Sequence, residues 1–175
     1  ETGSIRSISA VGSLLSQGIG DTIRISYASD PVFEVEDGVE LLNCLGLRER
    51  VGAELIACPS CGRIQVDLFS LVDDVRQQLQ DEINVPIKVA VMGCVVNGPG
   101  EAEGADVAVF AGDRRGIIYV QGERVANVPE EEILERLLQE CKTLQERVQS
   151  GDTKLGDKAV SIVPPTDSTV TIEGQ

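Results

Sequence analysis

Three cysteines carry the clearest chemical signal in this sequence, because their spacing brings their thiols towards one place. Cys58 and Cys61 form a C-x-x-C pair directly after a predicted strand, and Cys94 directly follows another predicted strand. If these strands are neighbours, all three thiols lie at the same edge of the sheet. Clustered thiolates bind a metal centre or carry out redox chemistry.

The residues around these cysteines favour an iron–sulfur cluster over zinc. A structural zinc site takes four closed ligands, often from two C-x-x-C pairs, and Asn97 stands where the second pair would place its cysteine. Three thiolates suit a cubane cluster with one corner left for another ligand. The turn at residues 97–100 is predicted to fold the chain back sharply and return Glu101 to that corner. An oxygen ligand exchanges readily on iron, which suits chemistry at the cluster.

Other interpretations of the same residues stay open. The C-x-x-C pair also fits a zinc-stabilised interaction domain or a thiol redox pair, and the same cluster fits an electron-transfer module without a substrate. Glu101 taken alone is a surface acid, and it would face the pyrophosphate if residues 98–104 formed a dinucleotide loop. Cys44 and Cys141 lie in predicted helices, where we expect them to act as small, buried apolar side chains.

The composition excludes several classes of function. The chain has 175 residues, with 15 Lys and Arg against 29 Asp and Glu, and its net charge of −14 is unlike that of a nucleic-acid-binding protein. No apolar run is long enough to span a membrane. The absence of His removes catalytic triads and His-containing zinc sites. Five cysteines without a secretory signal argue against a disulfide scaffold and favour a cytoplasmic protein.

Residues 1–49 are predicted to form a helix, a strand and a second helix, a unit typical of α/β architecture. The first helix covers 4–17, the strand covers 22–26, and the second helix begins at Asp30-Pro31. Arg24 and Ser26 alternate on the strand and therefore face the same side. Exposed charge is the simpler interpretation of this pair, and binding of a phosphate group is the functional one.

Residues 50–150 are predicted to form the domain that carries the cysteines. Its strands are predicted at 54–57, 87–92, 107–110, 116–120 and 124–128. Asp67 is expected to cap the first helix of this domain, and residues 127–130 resemble a capping box for the last one. A hairpin turn is predicted at 112–115. Residues 151–175, rich in Pro, Ser and Thr, are predicted to form a disordered tail.

The segments around the cysteines resemble one family specifically. Residues 57–63 (ACPSCGR) and 91–102 (VMGCVVNGPGEA) resemble signature segments of the 4-hydroxy-3-methylbut-2-en-1-yl diphosphate synthases, and residues 20–26 (GDTIRIS) match a third segment. The resemblance implies an iron–sulfur oxidoreductase of the methylerythritol phosphate route to isoprenoids. Such an enzyme opens the ring of 2-C-methyl-D-erythritol 2,4-cyclodiphosphate with two electrons and eliminates water.

The resemblance also implies a role for each matching residue. The ligands of a [4Fe–4S] cluster would be Cys58, Cys61, Cys94 and Glu101. Asn97 would contact the substrate beside the cluster and share the catalytic role with Glu101. Arg24 and Ser26 would bind the diphosphate from the last strand of a (β/α)₈ barrel.

The fold implied by the resemblance is the last helix–strand–helix of that barrel, followed by an α/β domain similar to the repeated domain of sulfite and nitrite reductases. Ferredoxin or flavodoxin would supply the electrons. In the homodimer of this family, the cluster domain of one chain closes over the barrel of the other. Most of the barrel is missing here and the sequence does not begin with Met, so we expect a partial chain that is inactive alone. The plastid stroma is the expected location if the source is a plant or an alga.

Overall fold

The chain divides into two units, which meet in sequence at Arg50 and Val51. The structure is a computed structural model, and it describes residues 2–96 and 98–156. The tail predicted for residues 151–175 lies outside these ranges from residue 157 onwards. None of the helices in these ranges combines the length and the apolar character needed to cross a membrane.

The first unit contains two helices, α1 (Thr2–Leu15) and α2 (Pro31–Cys44), and both are predicted from the sequence. Asp30 caps α2, because its carboxylate accepts a hydrogen bond from the Val32 N–H at 2.9 Å. The proline at the first position of α2 has no N–H to leave unpaired, which favours a helix start at this point.

The strand predicted over residues 22–26 is wrong. The segment is irregular, and within the described residues no backbone hydrogen bond joins it to a strand. A strand is stabilised by a neighbour that pairs with its N–H and C=O groups, and the described part of the first unit offers none. The side chains alternate all the same: Ile25 is buried over Gly38 of α2, while Arg24 and Ser26 are exposed.

The second unit is built on a five-stranded mixed sheet. In order across the sheet, its strands are β1 (Glu54–Ala57), β2 (Lys88–Met92), β3 (Val107–Gly112), β4 (Arg115–Val120) and β5 (Glu123–Pro129). The first three strands are parallel, and the last three are joined as antiparallel pairs. All five strands predicted for residues 50–150 are therefore confirmed, and the unit has an α/β fold.

Two helices cover one face of this sheet. They are α3 (Leu68–Glu82) and α5 (Ile133–Gln149), and their apolar stripes pack on the aliphatic side chains of the strands. A smaller cluster on the other face contains Ala90, Met92, Ala102, Ala105, Ala108 and Phe110. The central parallel strands are thus covered on both faces, which explains why β2 is a nearly continuous apolar run.

The two predicted caps of these helices have different outcomes. The side chain of Asp67 accepts from the Ser70 N–H at 3.2 Å and caps α3, as predicted. The capping box at residues 127–130 is wrong, because a 3-10 helix (Glu130–Glu132) precedes α5 without a side-chain cap. Asn127 instead lies on β5, where its Oδ1 accepts from Nε of Arg115 at 3.0 Å. The Asn127 side chain therefore bonds to the neighbouring strand β4 and does not cap the helix.

The hairpin between β3 and β4 turns through two residues with positive φ. Asp113 has φ 50° and Arg114 has φ 58°, the pair of left-handed conformations that defines a type I′ turn. Both ends of this turn are held, because the Asp113 N–H donates to Oε1 of Gln65 at 2.8 Å and the Glu130 N–H donates to the Arg114 carbonyl oxygen at 3.0 Å. The turn is therefore a fixed point at the carboxyl end of β3.

Candidate metal centre

The parallel pairing of β1 with β2 places two of the cysteines at the same edge of the sheet. Ala57 is the partner of Val91 in this register, and the Cys58 N–H donates to the Val91 carbonyl oxygen at 3.1 Å. Cys94 follows only two residues after the end of β2. The predicted neighbourhood of the two strands is confirmed, and both cysteines leave the sheet at its carboxyl edge, where α/β proteins commonly bind their ligands.

The loop that carries Cys61 returns to the same edge. Ser60, between the two cysteines of the C-x-x-C pair, has a φ of 60°, which turns the chain out of the direction of β1. The Cys61 carbonyl oxygen then accepts from the Ile64 N–H at 3.3 Å. The next residue, Gln65, donates its N–H to the carbonyl oxygen of Gly93, also at 3.3 Å. The C-x-x-C loop is thereby joined to the residue that precedes Cys94.

The three thiols differ in their access to solvent. Cys94 is buried, with 7% of its surface exposed, Cys58 is half-buried against both core clusters, and Cys61 is exposed. None of the three is in a disulfide. A centre bound to them would therefore have one side against the core and one side open to solvent.

Glu101 ends a single helical turn rather than a sharp reversal. This turn is α4 (Gly98–Glu101), and the Ala102 N–H closes it by donating to the Gly98 carbonyl oxygen at 2.8 Å. The Glu101 side chain is exposed. Asn97, which we expect to contact the substrate, lies outside the described residues. The sharp turn predicted for residues 97–100 is thus corrected over its described part, since residues 98–101 form a helical turn.

Within residues 2–96 and 98–156, no three Cys, Asp or Glu side chains are gathered closely enough to hold a metal ion. The donor types nevertheless fit an iron–sulfur cluster, because Cys58 and Cys94 follow the paired strands β1 and β2, Cys61 lies in the loop after Cys58, and no described disulfide occupies these thiols.

The two remaining cysteines differ from each other. Cys141 is fully buried on α5, as predicted, and burial raises the pKa of its thiol to about 12. Cys44 is exposed, so its predicted burial is wrong. It is the last residue of α2, and its thiol donates to Oε1 of Glu40 at 3.5 Å. A helical position alone does not decide burial; the face of the helix does.

Arg24 and Ser26 belong to the first unit. Arg24 lines a groove of about 310 Å³ between the irregular segment and α2, together with Ile23, Ile25, Glu34, Val35, Gly38, Val39 and Leu42. Both Arg24 and Ser26 are exposed. Their side chains are thus accessible to an anionic ligand, while Ile25 between them secures the segment to α2.

A mixed sheet with cysteines at the carboxyl edge of its parallel strands defines an α/β protein with a cysteine-rich site at the end of the sheet. Comparison with protein families gives a narrower class. The GcpE protein C-terminal domain matches residues 54–143, and the GcpE TIM-barrel domain matches residues 1–39. The chain belongs to the GcpE family.

Similar curated proteins include several named 4-hydroxy-3-methylbut-2-en-1-yl diphosphate synthase (flavodoxin). A protein with this name from Streptomyces coelicolor is 48% identical over 160 residues, which cover 91% of this chain and 41% of the relative. The protein from Corynebacterium diphtheriae is 54% identical, covering 82% of this chain and 36% of the relative. The protein from Desulfotalea psychrophila is also 54% identical, covering 84% and 40%. The chain thus spans about two fifths of the length of these relatives.

Proposed function

We propose that this chain forms the cluster-bearing part of a 4-hydroxy-3-methylbut-2-en-1-yl diphosphate synthase. The reaction would be the reductive ring opening of 2-C-methyl-D-erythritol 2,4-cyclodiphosphate, in which two electrons and two protons enter and water leaves. The observation that carries this proposal is the hydrogen bond from the Cys58 N–H to the Val91 carbonyl oxygen. This bond joins Cys58 to the strand that leads to Cys94, which supports a centre shared by the two segments.

The centre proposed is a [4Fe–4S] cluster. Its ligands would be Cys58, Cys61, Cys94 and Glu101. Such a cluster, when bound, supplies electrons one at a time to the substrate. The buried Cys94 would shield one side of it from water, while the exposed Cys61 and Glu101 would border the side that admits substrate.

The chain's own residues would bind and orient the substrate. Asn97, next to α4, is proposed to contact the substrate beside Glu101. Arg24 and Ser26 are proposed to bind its diphosphate by charge-assisted hydrogen bonds, which is consistent with their exposure on both sides of Ile25. The match of residues 1–39 to a TIM-barrel domain supports this assignment, since such barrels commonly bind phosphate at the last strands.

The assembly we propose follows from the two matched domains. Residues 1–49 would complete a (β/α)₈ barrel, residues 50–150 would form a domain similar to that of sulfite and nitrite reductases, and the cluster domain of one chain would close over the barrel of another in a homodimer. The relatives carry flavodoxin in their names. We therefore propose flavodoxin as the electron donor, with ferredoxin as the alternative, and a cytoplasmic location.

Anaerobic loading of the chain with iron and sulfide tests the cluster directly. We expect a brown protein with about four irons and a broad absorption band near 400 nm. Glu101→Ala should leave the three thiols bound but make the cluster labile or convert it to a three-iron form. Glu103→Ala, a matched exposed acid two residues away, should behave like the unchanged chain. A colourless protein that holds one zinc ion would overturn the proposal.

The substrate is tested on a chain extended at its N-terminus to the length of the relatives. Arg24→Ala should raise the KM for the cyclodiphosphate, because a phosphate contact is lost, while the absorption of the cluster stays unchanged. Arg6→Ala is the matched control, since Arg6 is an exposed arginine on α1. An intact cluster whose spectrum and reduction do not respond to the cyclodiphosphate would instead indicate an electron-transfer module.

A further inference from the structure

Gln65 connects three segments at the edge of the sheet that carries the cysteines. Its backbone N–H donates to the Gly93 carbonyl oxygen at 3.3 Å, immediately before Cys94. Its side-chain Oε1 accepts from the Asp113 N–H at 2.8 Å. Gln65 itself lies only four residues after Cys61. One residue therefore joins the C-x-x-C loop to the Cys94 segment and to the β3–β4 turn.

The space for the Gln65 side chain is provided by Gly112. A Cβ atom on Gly112 would lie 2.8 Å from Oε1 of Gln65, closer than a side chain tolerates without displacement. The neighbouring Ile64 packs under Gly93, where a Cβ atom would meet its carbons at 3.4 Å. Apolar contacts of this kind hold the loop close to the sheet, and the directional hydrogen bonds of Gln65 determine its register.

The turn that contains Asp113, the partner of the Gln65 side chain, is itself held by a backbone hydrogen bond. Asp113 lies in a type I′ turn whose other residue, Arg114, accepts at its carbonyl oxygen from the Glu130 N–H at 3.0 Å. Gln65 is thus hydrogen-bonded to a turn that is itself hydrogen-bonded to the residue after β5. By contrast, Cys61 lies beyond Ser60 and outside the ladder of the sheet, so its position depends on how the loop is anchored further along.

We propose that Gln65 is a positioning residue that holds Cys61 within reach of Cys94, so that thiols from two separate loops can bind one centre. The proposal rests on the proposed function for the identity of the centre, whereas the separation of the two thiols can be tested without iron. Gln65 is exposed, so its hydrogen bond competes with water and its removal should change the thiol geometry by a modest factor, roughly fivefold in rate.

The first experiment measures how fast the two thiols are bridged. In the full chain carrying Cys44→Ser and Cys58→Ser, the thiols left at this edge are Cys61 and Cys94. The remaining cysteine, Cys141, lies on α5 with none of its surface exposed. Dibromobimane fluoresces when it links two thiols, and it should react first with the exposed Cys61. The second step then reports whether Cys94 is within reach.

Four single variants of this background, and one that combines Gln65→Ala with Gly112→Ala, decide the proposal. Gln65→Ala should slow bridging roughly fivefold, and Gln65→Glu, which keeps an acceptor oxygen, should restore most of the rate. Gln77→Ala, an exposed glutamine on α3, is the control and should leave the rate unchanged. Gly112→Ala should also slow bridging, because its Cβ displaces Gln65, and it should add nothing to Gln65→Ala. Equal bridging rates for Gln65→Ala and its parent would overturn the proposal. Additive effects of Gln65→Ala and Gly112→Ala would also overturn it.

The second experiment uses the chain loaded with iron and sulfide. Gln65→Ala should shift the reduction potential of the cluster and speed its loss of iron. The urea midpoint of the iron-free Gln65→Ala chain should equal that of the iron-free Gln77→Ala control. A potential and an iron-loss rate identical to those of the parent would count against a positioning role. If the parent chain binds no iron at all, the proposed function fails, and the bridging rates still decide whether Gln65 positions Cys61.

Discussion

Gly98 lies so close to Phe110 that a Cβ atom in its place would come within 2.5 Å of the ring carbon Cδ1. The same atom would lie 3.0 Å from Cβ of Met92. The first residue of α4 is therefore packed directly on the sheet, on the face opposite to α3 and α5. This contact determines where the helical turn that ends at Glu101 can lie.

Replacement of Gly98 by Ala should displace α4. The added methyl group meets a buried ring and cannot be accommodated in place, so we expect Gly98→Ala to lower the free energy of unfolding by about 1–3 kcal/mol. It should also weaken iron retention through Glu101. Gly100→Ala is the control, because a methyl group there would have no atom of another described segment within 4 Å. Urea unfolding and iron analysis of both variants check this, and equal stabilities would contradict the packing described.

The stability of the second unit should depend on Val91 of β2. This side chain is fully buried in the core cluster beneath α3 and α5. Val91→Ala should lower the free energy of unfolding by about 2 kcal/mol, because it removes buried methyl groups and leaves a cavity. Val125→Ala, on β5 with 41% of its surface exposed, should change it by less than about 0.5 kcal/mol. Chemical denaturation measures both values, and a Val91→Ala chain as stable as the control would refute the prediction.

Cys141 should make stability fall at alkaline pH. Burial raises the pKa of its thiol from 9.0 to about 12, so the folded state keeps the proton that the unfolded state gives up. The stabilisation linked to this proton is complete below pH 9 and is lost as the pH rises towards 12. Urea midpoints measured from about pH 8 upwards should therefore fall less steeply for Cys141→Ala than for the unchanged chain. Equal slopes would show that this thiol is not protected from ionisation.

The hydroxyl of Tyr27 should titrate only at high pH. It donates to Oδ2 of Asp37 at 2.7 Å, and this bond raises the pKa of Tyr27 to about 12. The hydroxyl of Ser4 donates to the same carboxylate, and the two bonds lower the pKa of Asp37. The contribution of Asp37 to the α1–α2 contact is therefore present above its ordinary pKa and is lost as the pH falls through the lowered value.

Absorbance at 295 nm measures this titration. In a Tyr119→Phe chain, Tyr27 is the one tyrosine left, because the sequence contains two. Asp37→Asn should bring the Tyr27 midpoint down towards 10, since both the hydrogen bond to a charged oxygen and the negative charge are lost. A midpoint unchanged by Asp37→Asn would show that a group other than Asp37 raises the pKa of Tyr27.

Local patterns in the sequence were sufficient for most of the second unit. The strand Glu54–Ala57 and the helix that Asp67 caps follow from short-range rules, namely apolar runs bounded by a capping side chain. The C-x-x-C pair and Cys94 could be predicted to lie at one sheet edge because each follows a predicted strand. These features depend on residues that are close in the chain, which is why the sequence reveals them.

The sequence by itself determined the five strands of the sheet, the start of α2 at Asp30-Pro31, the helix cap at Asp67, and the position of Cys58 and Cys94 after neighbouring strands. Only the tertiary structure decided that residues 22–26 form no strand and that Asn127 on β5 bonds to Arg115 on the neighbouring strand β4. It also decided that Gln65 joins the two cysteine segments to the distant β3–β4 turn. Each of these depends on a hydrogen-bonding partner that is remote in the chain or lacking. Local propensity contains no information about such partners, because they are set by how strands and loops pack against one another.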